Sequence, residues 1–158
     1  MISMIVAMGQ NREIGKNNEL LWHIKDDLQN FRKVTLNKKI VMGANTYYSL
    51  PKKLDKRTYI VLSRKIKKID DGIVFNDDKK LLKYLNELDE EVVVIGGASI
   101  YKLFLPYAKK LYITYILDTK SADAFFPSFS EKDFKKKKIK ETNEYIMVEY
   151  ERINNNER

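Results

Sequence analysis

Apolar positions along the 158-residue chain fall into short runs whose spacing switches between two periods. Runs rich in β-branched and aromatic residues predict strands at Ile2–Met8, Lys39–Met42, Thr58–Leu62, Ile73–Phe75, Val92–Ile95, Lys110–Leu117 and Tyr145–Ile153. Between them, apolar residues recur at helical spacing over Lys25–Leu36, Asn45–Leu50, Lys79–Leu88 and Ser99–Leu105. Strands alternating with helices imply an α/β fold around a mostly parallel central β-sheet. Val92-Val93-Val94-Ile95 is apolar throughout, as expected of a central strand covered on both faces. No helical pattern separates the last two predicted strands, so they are expected to form an antiparallel C-terminal edge. The expectation is one domain over residues 1–153, flanked by about four helices, with a polar tail over residues 154–158.

The helix over Lys25–Leu36 contains an anomaly. On a helical wheel with Asp27 at zero, Val34 falls near about −20°, Phe31 near 40°, Ile24 near 60°, Thr35 near 80° and Leu28 near 100°. Asp27 therefore lies on the apolar stripe. Its neighbour Asp26 points the other way, with Gln29, Asn30 and Lys33, and is expected in solvent at the positive end of the helix dipole. A carboxylate on an apolar stripe is costly unless it is hydrogen-bonded or functional, and desolvation should raise its pKa. Before this helix runs a polar segment from Gly9 to Trp22 that ends Leu20-Leu21-Trp22. A long irregular loop of this kind is expected to be a lid, with its apolar end buried over an apolar ligand. His23, the only histidine, is expected to face solvent at the helix start.

Charge changes little in this picture. The net charge is +8, from 30 basic residues of which 6 are Arg, and the lysines are scattered. That pattern is expected of a solvated basic surface rather than of a nucleic-acid patch, although a positive field helps recruit anions. There is no cysteine, which excludes a disulfide framework and thiolate metal sites and suits a reducing compartment. The apolar N-terminus lacks a basic flank and is far shorter than the ~20 residues of a membrane span, so it is expected to be a strand of a cytoplasmic protein. No metal is expected.

Three strand ends carry chemistry suited to anions. Val94-Ile95-Gly96-Gly97-Ala98-Ser99-Ile100-Tyr101 is a strand, a Gly-Gly turn and a helix start, which points free N–H groups outward. Met42-Gly43-Ala44-Asn45-Thr46 repeats that logic, and Leu62-Ser63-Arg64-Lys65 sets a hydroxyl before two cations. Together they point to one extended dinucleotide at the carboxyl ends of the strands.

With those residues in view, the chain resembles the dihydrofolate reductase family. The resemblance rests on Ala7, Ile14-Gly15, Trp22 with Asp27 five residues on, Phe31, Thr35-Leu36-Asn37-Lys38, Met42-Gly43, Thr46, Arg57, Leu62-Ser63, Ile95-Gly96-Gly97, Tyr101 and Phe126-Pro127. Each match is weak alone, but their order and spacing cover nearly the whole chain. The resemblance implies reduction of 7,8-dihydrofolate to tetrahydrofolate by NADPH, supporting one-carbon metabolism, in a monomer that binds neither nucleic acid nor membrane. It implies that Asp27 binds the pterin 2-amino group and N3 and favours protonation of N5, while hydride passes to C6. It implies that Thr114 hydrogen-bonds this carboxylate and that Trp22 orders a water near it. Ile5, Ala7 and Ile95 would wall the pterin pocket. Leu20, Leu28, Phe31, Leu50 and Leu54 would grip the pterin and aminobenzoyl rings, and Arg57 the glutamate carboxylate. The implied cofactor surface comprises Ala7, Ile14, Gly15, Leu20, Gly43, Ala44, Asn45, Thr46, Leu62, Ser63, Arg64, Ile95, Gly96, Gly97, Ala98, Ser99, Ile100 and Tyr101. Tyr101 would lie beside the nicotinamide, and Gly96 and Gly97 match a pair joined by a cis peptide.

Some positions depart from the pattern. Ala44 and Ser99 stand where relatives place basic residues, which leaves Arg64, helped by Ser63 and Lys65, as the candidate for the 2′-phosphate. Leu21 replaces a Pro before the Trp, so the lid entry is expected to be less rigid. Competing readings are a pyrimidine reductase of riboflavin synthesis on the same fold, a basic nucleic-acid-binding module, and a non-catalytic cofactor-binding paralogue. Trp22, Asp27, Phe31 and Arg57 together favour the folate reading.

Overall fold

The computed structural model describes residues 1–50 and 54–154. In chain order the elements are β1 (Ile2–Met8), β2 (Glu13–Lys16), β3 (Glu19–Leu20), α1 (Lys25–Thr35), β4 (Lys39–Gly43), α2 (Ala44–Ser49), β5 (Thr58–Leu62) and β6 (Gly72–Phe75). They continue with α3 (Asp78–Asn86), β7 (Val92–Gly96), α4 (Ala98–Phe104), β8 (Ala108–Ile116), β9 (Ala124–Phe125), β10 (Phe134–Glu141) and β11 (Tyr145–Arg152). The main sheet runs β10-β11-β8-β1-β7-β4-β5-β6. Its pairs from β8 to β6 are parallel, and β8–β11 and β11–β10 are antiparallel. This is the expected α/β architecture, with the antiparallel edge at the C-terminal strands.

Alternation along β1 explains the two layers. Ile2, Met4, Val6 and Met8 face a core that includes Leu81 and Leu85 of α3 and Ile100 and Phe104 of α4. Ile5 faces the other way, into a smaller cluster with Ile40, Met42 and Val93, against which Phe31 and Val34 of α1 pack. This second layer carries the candidate site. Asp77 caps α3 with its carboxylate on the N–H groups of Lys79 and Lys80. By contrast α1 begins at Ile24 with no side-chain cap.

Two parts of the fold differ from the sequence expectation. The segment Gly9–Trp22 is not an irregular loop. Its strands β2 and β3 pair with each other, and β2 pairs with β9, in a separate three-stranded sheet. Residues 134–141 form the edge strand β10, although Phe134-Lys135-Lys136-Lys137-Lys138 reads as a charge run. All of β10 but Phe134 is exposed, and lysines on an edge strand discourage pairing with other chains. The expected polar tail lies, from residue 155 on, outside the described residues.

Candidate active site

The β1–β7 ladder stops at Met4↔Val94, whereas β1–β8 runs on to Met8↔Tyr115. Beyond Met4 and Val94 the two strands no longer pair, and β7 ends at Gly96 while β1 continues to Met8. The Tyr101 hydroxyl, buried on α4, donates 2.7 Å to the Ile5 carbonyl that the broken ladder leaves over. Burial, and secondarily the charge of Asp27, pushes the Tyr101 pKa far up, so it stays a donor.

Asp27 enters this region from the first turn of α1. Thr114 Oγ1 donates 2.7 Å to Asp27 Oδ1. Thr114 is buried on β8, opposite Ala7 on one side and Met147 on the other. Burial lifts the Asp27 pKa above the ordinary carboxylate range, and the Thr114 bond offsets this only in part. Phe31, Leu50, Leu54 and Ile95 pack on the cluster that contains Ile5. Ala7, Trp22 and Ile24 pack on the adjoining cluster of Ile116, Tyr145 and Met147. One face of the sheet thus collects an apolar wall around one partly buried carboxylate. Leu20 and Leu28 are 69% and 50% exposed, so neither belongs to the core, and the lid's Leu-Leu-Trp end is not buried as a whole.

Arg57 is fixed at the other end of α1. Its Nε bonds Thr35 Oγ1 at 3.2 Å, Nη2 the Arg32 carbonyl at 2.5 Å, and Nη1 the Asp55 carbonyl at 2.8 Å. The side chain is 5% exposed. A guanidinium that closes the carbonyl end of a helix is preorganised, and Nη1 also lies 4.0 Å from the exposed Asp55 carboxylate.

The three glycine and hydroxyl turns end neighbouring strands. Gly96 ends β7, Gly43 ends β4 and Leu62 ends β5, and these strands are adjacent in that order. At about 4.8 Å per strand the three ends span roughly 10 Å, within reach of one extended ligand. Thr46 Oγ1 lies 3.6 Å from where a Cβ would stand on Gly96 or on Gly97, so the first two turns converge. The Gly96–Gly97 peptide is cis, and Gly96 has φ +128°, where side chains are disfavoured. Ile14 is buried, Gly15 lies in β2, and Ala44, Ala98 and Ile100 line the two turns' helices, with Asn45 and Ser99 exposed. The Ser63 hydroxyl accepts the N–H groups of Lys65 and Ile66, while Arg64 and Lys65 stand exposed. Asn76 Nδ2 ties the turn together through the carbonyls of Ser63 and Ile66.

Several polar contacts here were not legible in the sequence. Trp22 Nε1 donates 3.1 Å to Asp118, and Lys120 Nζ donates 2.8 Å to the Leu21 carbonyl and lies over the Trp22 ring. Glu13, 1% exposed, accepts the N–H groups of Asn11 and Lys120. These bonds fasten the lid to the chain that follows β8. Asp26 is not simply solvated: it accepts bonds from Tyr145 and Lys140.

A family model described as dihydrofolate reductase matches residues 1–154. The chain is 39% identical to a dihydrofolate reductase of Haemophilus influenzae over 129 residues, covering 81% of this chain and 79% of that one. It is 34% identical over 160 aligned residues to a dihydrofolate reductase of Staphylococcus haemolyticus, covering 96% of each. Among solved structures, it superposes with a TM-score of 0.85 on a dihydrofolate reductase from Enterococcus faecalis complexed with NADP(H) and RAB-propyl. That pair is 25% identical, and the match covers 98% of this chain and 97% of the other.

Proposed function

The chain belongs to the dihydrofolate reductase family and reduces dihydrofolate with NADPH, and from that premise we propose that Asp27 is the carboxylate on which the reaction depends. The observation that carries this reading is the 2.7 Å bond from Thr114 to a carboxylate lodged against an apolar wall. In this reading Asp27 accepts the 2-amino and N3 hydrogens of the pterin. Burial raises its pKa, so it holds a proton more readily at neutral pH than an exposed carboxylate does. Protonation at N5 is thereby favoured, and C6 becomes the better hydride acceptor.

Ile5, Ala7 and Ile95 wall the ring, with Leu28, Phe31, Leu50 and Leu54 along the substrate. Arg57 holds the glutamate carboxylate with a fork already set by α1. Bound NADPH supplies the hydride. The two convergent glycine turns fit its phosphates, because neither carries a side chain and both precede helix starts. Arg64, on a turn held by Ser63 and Asn76, takes the 2′-phosphate. Ile14, Gly15 and Leu20 close over the nicotinamide from the lid side, and Trp22 closes the pterin side of the same lid. We further place the protein in the cytoplasm as a monomer, its folded domain spanning residues 1–153. No helix among the described residues is long and apolar enough to cross a membrane.

The test is NADPH oxidation with dihydrofolate, set beside the pyrimidine substrate of riboflavin synthesis. Dihydrofolate turnover that Asp27→Asn largely abolishes at neutral pH and partly regains in acid supports the reading. Full neutral-pH activity in that variant refutes the role of Asp27.

A further inference from the structure

The two carboxylates that open α1 are held from different strands of the sheet. Asp27 receives its bond from Thr114 on β8. Asp26 receives a 2.6 Å bond from the Tyr145 hydroxyl at the start of β11 and a 3.3 Å bond from the Lys140 ammonium on β10. Tyr145 is 2% exposed, and its cluster with Ile116 and Met147 is the one on which Ala7 and Trp22 pack. Strand β11 lies directly beside β8, with Met147 opposite Thr114 and Tyr145 opposite Ile116. Tyr145 therefore reaches from the strand next to Thr114 to the residue next to Asp27.

The helix start depends on such bonds. A helix normally fixes its entry with a side-chain cap, and α1 has none at Ile24. Its first turn is positioned by tertiary contacts instead. Neighbouring helical residues point about 100° apart, so bonds to Asp26 and Asp27 from β8, β10 and β11 fix the rotation of the helix as well as its distance from the sheet.

We propose that Tyr145, supported by Lys140, is a positioning residue for the reaction: by holding Asp26 it sets the rotation of α1 that brings Asp27 onto Thr114 and into the pterin pocket. The inference rests on the reading of Asp27 given above. The charged and titratable groups facing Asp26 are Lys25 on α1, Lys140 on β10 and Tyr145 on β11; Tyr101 on α4 acts on the Asp27 side. Tyr145 first, and then Lys140, draw the Asp26 pKa below the ordinary range.

The test is single-turnover hydride transfer across pH in the full chain carrying Tyr145→Phe, which keeps the ring and removes only the hydroxyl. Asp26→Ala probes the same contact from the exposed side, in case the buried substitution impairs folding. Both variants are expected to transfer hydride about tenfold more slowly at neutral pH, with NADPH affinity unchanged. The pH–rate profile of Tyr145→Phe should also shift, because a displaced helix alters both the burial that raises the Asp27 pKa and the Thr114 bond that lowers it. Variants that lose thermal stability but keep the wild-type rate and profile, measured well below their midpoints, overturn the proposal. An Asp27→Asn control separates the two claims. If it is fully active at neutral pH, the reading of Asp27 has failed; if it is inactive while both clamp variants match wild type, only the positioning role has failed.

Discussion

Thr114→Val isolates the bond between sheet and carboxylate. Valine keeps the shape of threonine and its fit between Ala7 and Met147, and it removes one donor. Hydrogen bonds to charged groups contribute about 1.5–3 kcal/mol, and water reaching the partly exposed Asp27 offsets some of the lost bond, so a loss near the lower end is expected at pH 7. The sign with pH follows from linkage. The folded-state pKa of Asp27 is already raised by burial, so its ionised form costs stability above the unfolded-state value. The Thr114 bond lowers that pKa, so its removal raises the folded value further and leaves the unfolded one alone. The electrostatic part of the loss is therefore full above the variant's folded pKa and vanishes below the wild-type folded pKa. Urea unfolding of both proteins from neutral to mildly acidic pH measures it, and the falling limb of the pH–rate profile should move to higher pH in parallel. A variant equal to wild type in stability at neutral pH, with an unmoved profile, refutes the reasoning.

Other outcomes follow from the same geometry. Arg64→Ala should weaken NADPH binding by about 1–3 kcal/mol and leave NADH binding nearly unchanged, as titration calorimetry with each cofactor would read; equal losses would point to a structural role. Glu91 joins β1, the turn before β4, and β8 through Ser3, Lys38 and Tyr112, at 2.5, 2.5 and 2.9 Å. Burial pushes its pKa up, but those three partners outweigh it and hold it below the ordinary range. Its stabilisation is thus present above the unfolded-state value and lost as pH falls through the folded one. Glu91→Gln should lower the unfolding midpoint at pH 7, by about 1–3 kcal/mol of stability, and differ less from wild type in acid. Gly9→Ala would set a Cβ 2.2 Å from Glu13 Oε1 and 2.4 Å from the Trp22 ring. It should cost about 1–3 kcal/mol by overpacking and alter turnover through the lid, seen as a lower melting temperature together with a changed kcat.

The parts of the fold that were legible in the sequence are those that burial constrains. Strands β1 and β5, covered on both faces, are short apolar runs and match their predicted bounds, and α1, packed on one face, has a helical period and differs from its prediction by one residue. Helical phase also separated Asp27 from Asp26 without reference to any relative. What was not legible has physical causes. Strand β10 has solvent on both faces, so nothing imposes alternation on its lysines. Strand β2 hides a carboxylate: Glu13 is buried because backbone N–H groups of Asn11 and Lys120 satisfy it, and Lys120 lies 107 residues away. The partner of Asp26 is likewise remote, 119 residues along the chain. Periodicity reports which face of an element is buried, and it carries no information about which distant donor meets a polar group there.

In the proposed reaction the partly buried Asp27 governs protonation of the pterin ahead of hydride transfer. The most direct test of this role is the pH dependence of single-turnover hydride transfer from NADPH to dihydrofolate in wild type and Asp27→Asn. The wild-type rate should fall through an apparent pKa above the ordinary carboxylate range, and the variant should be slow at neutral pH and recover only in acid. A variant that keeps both the wild-type rate and the wild-type transition would contradict it.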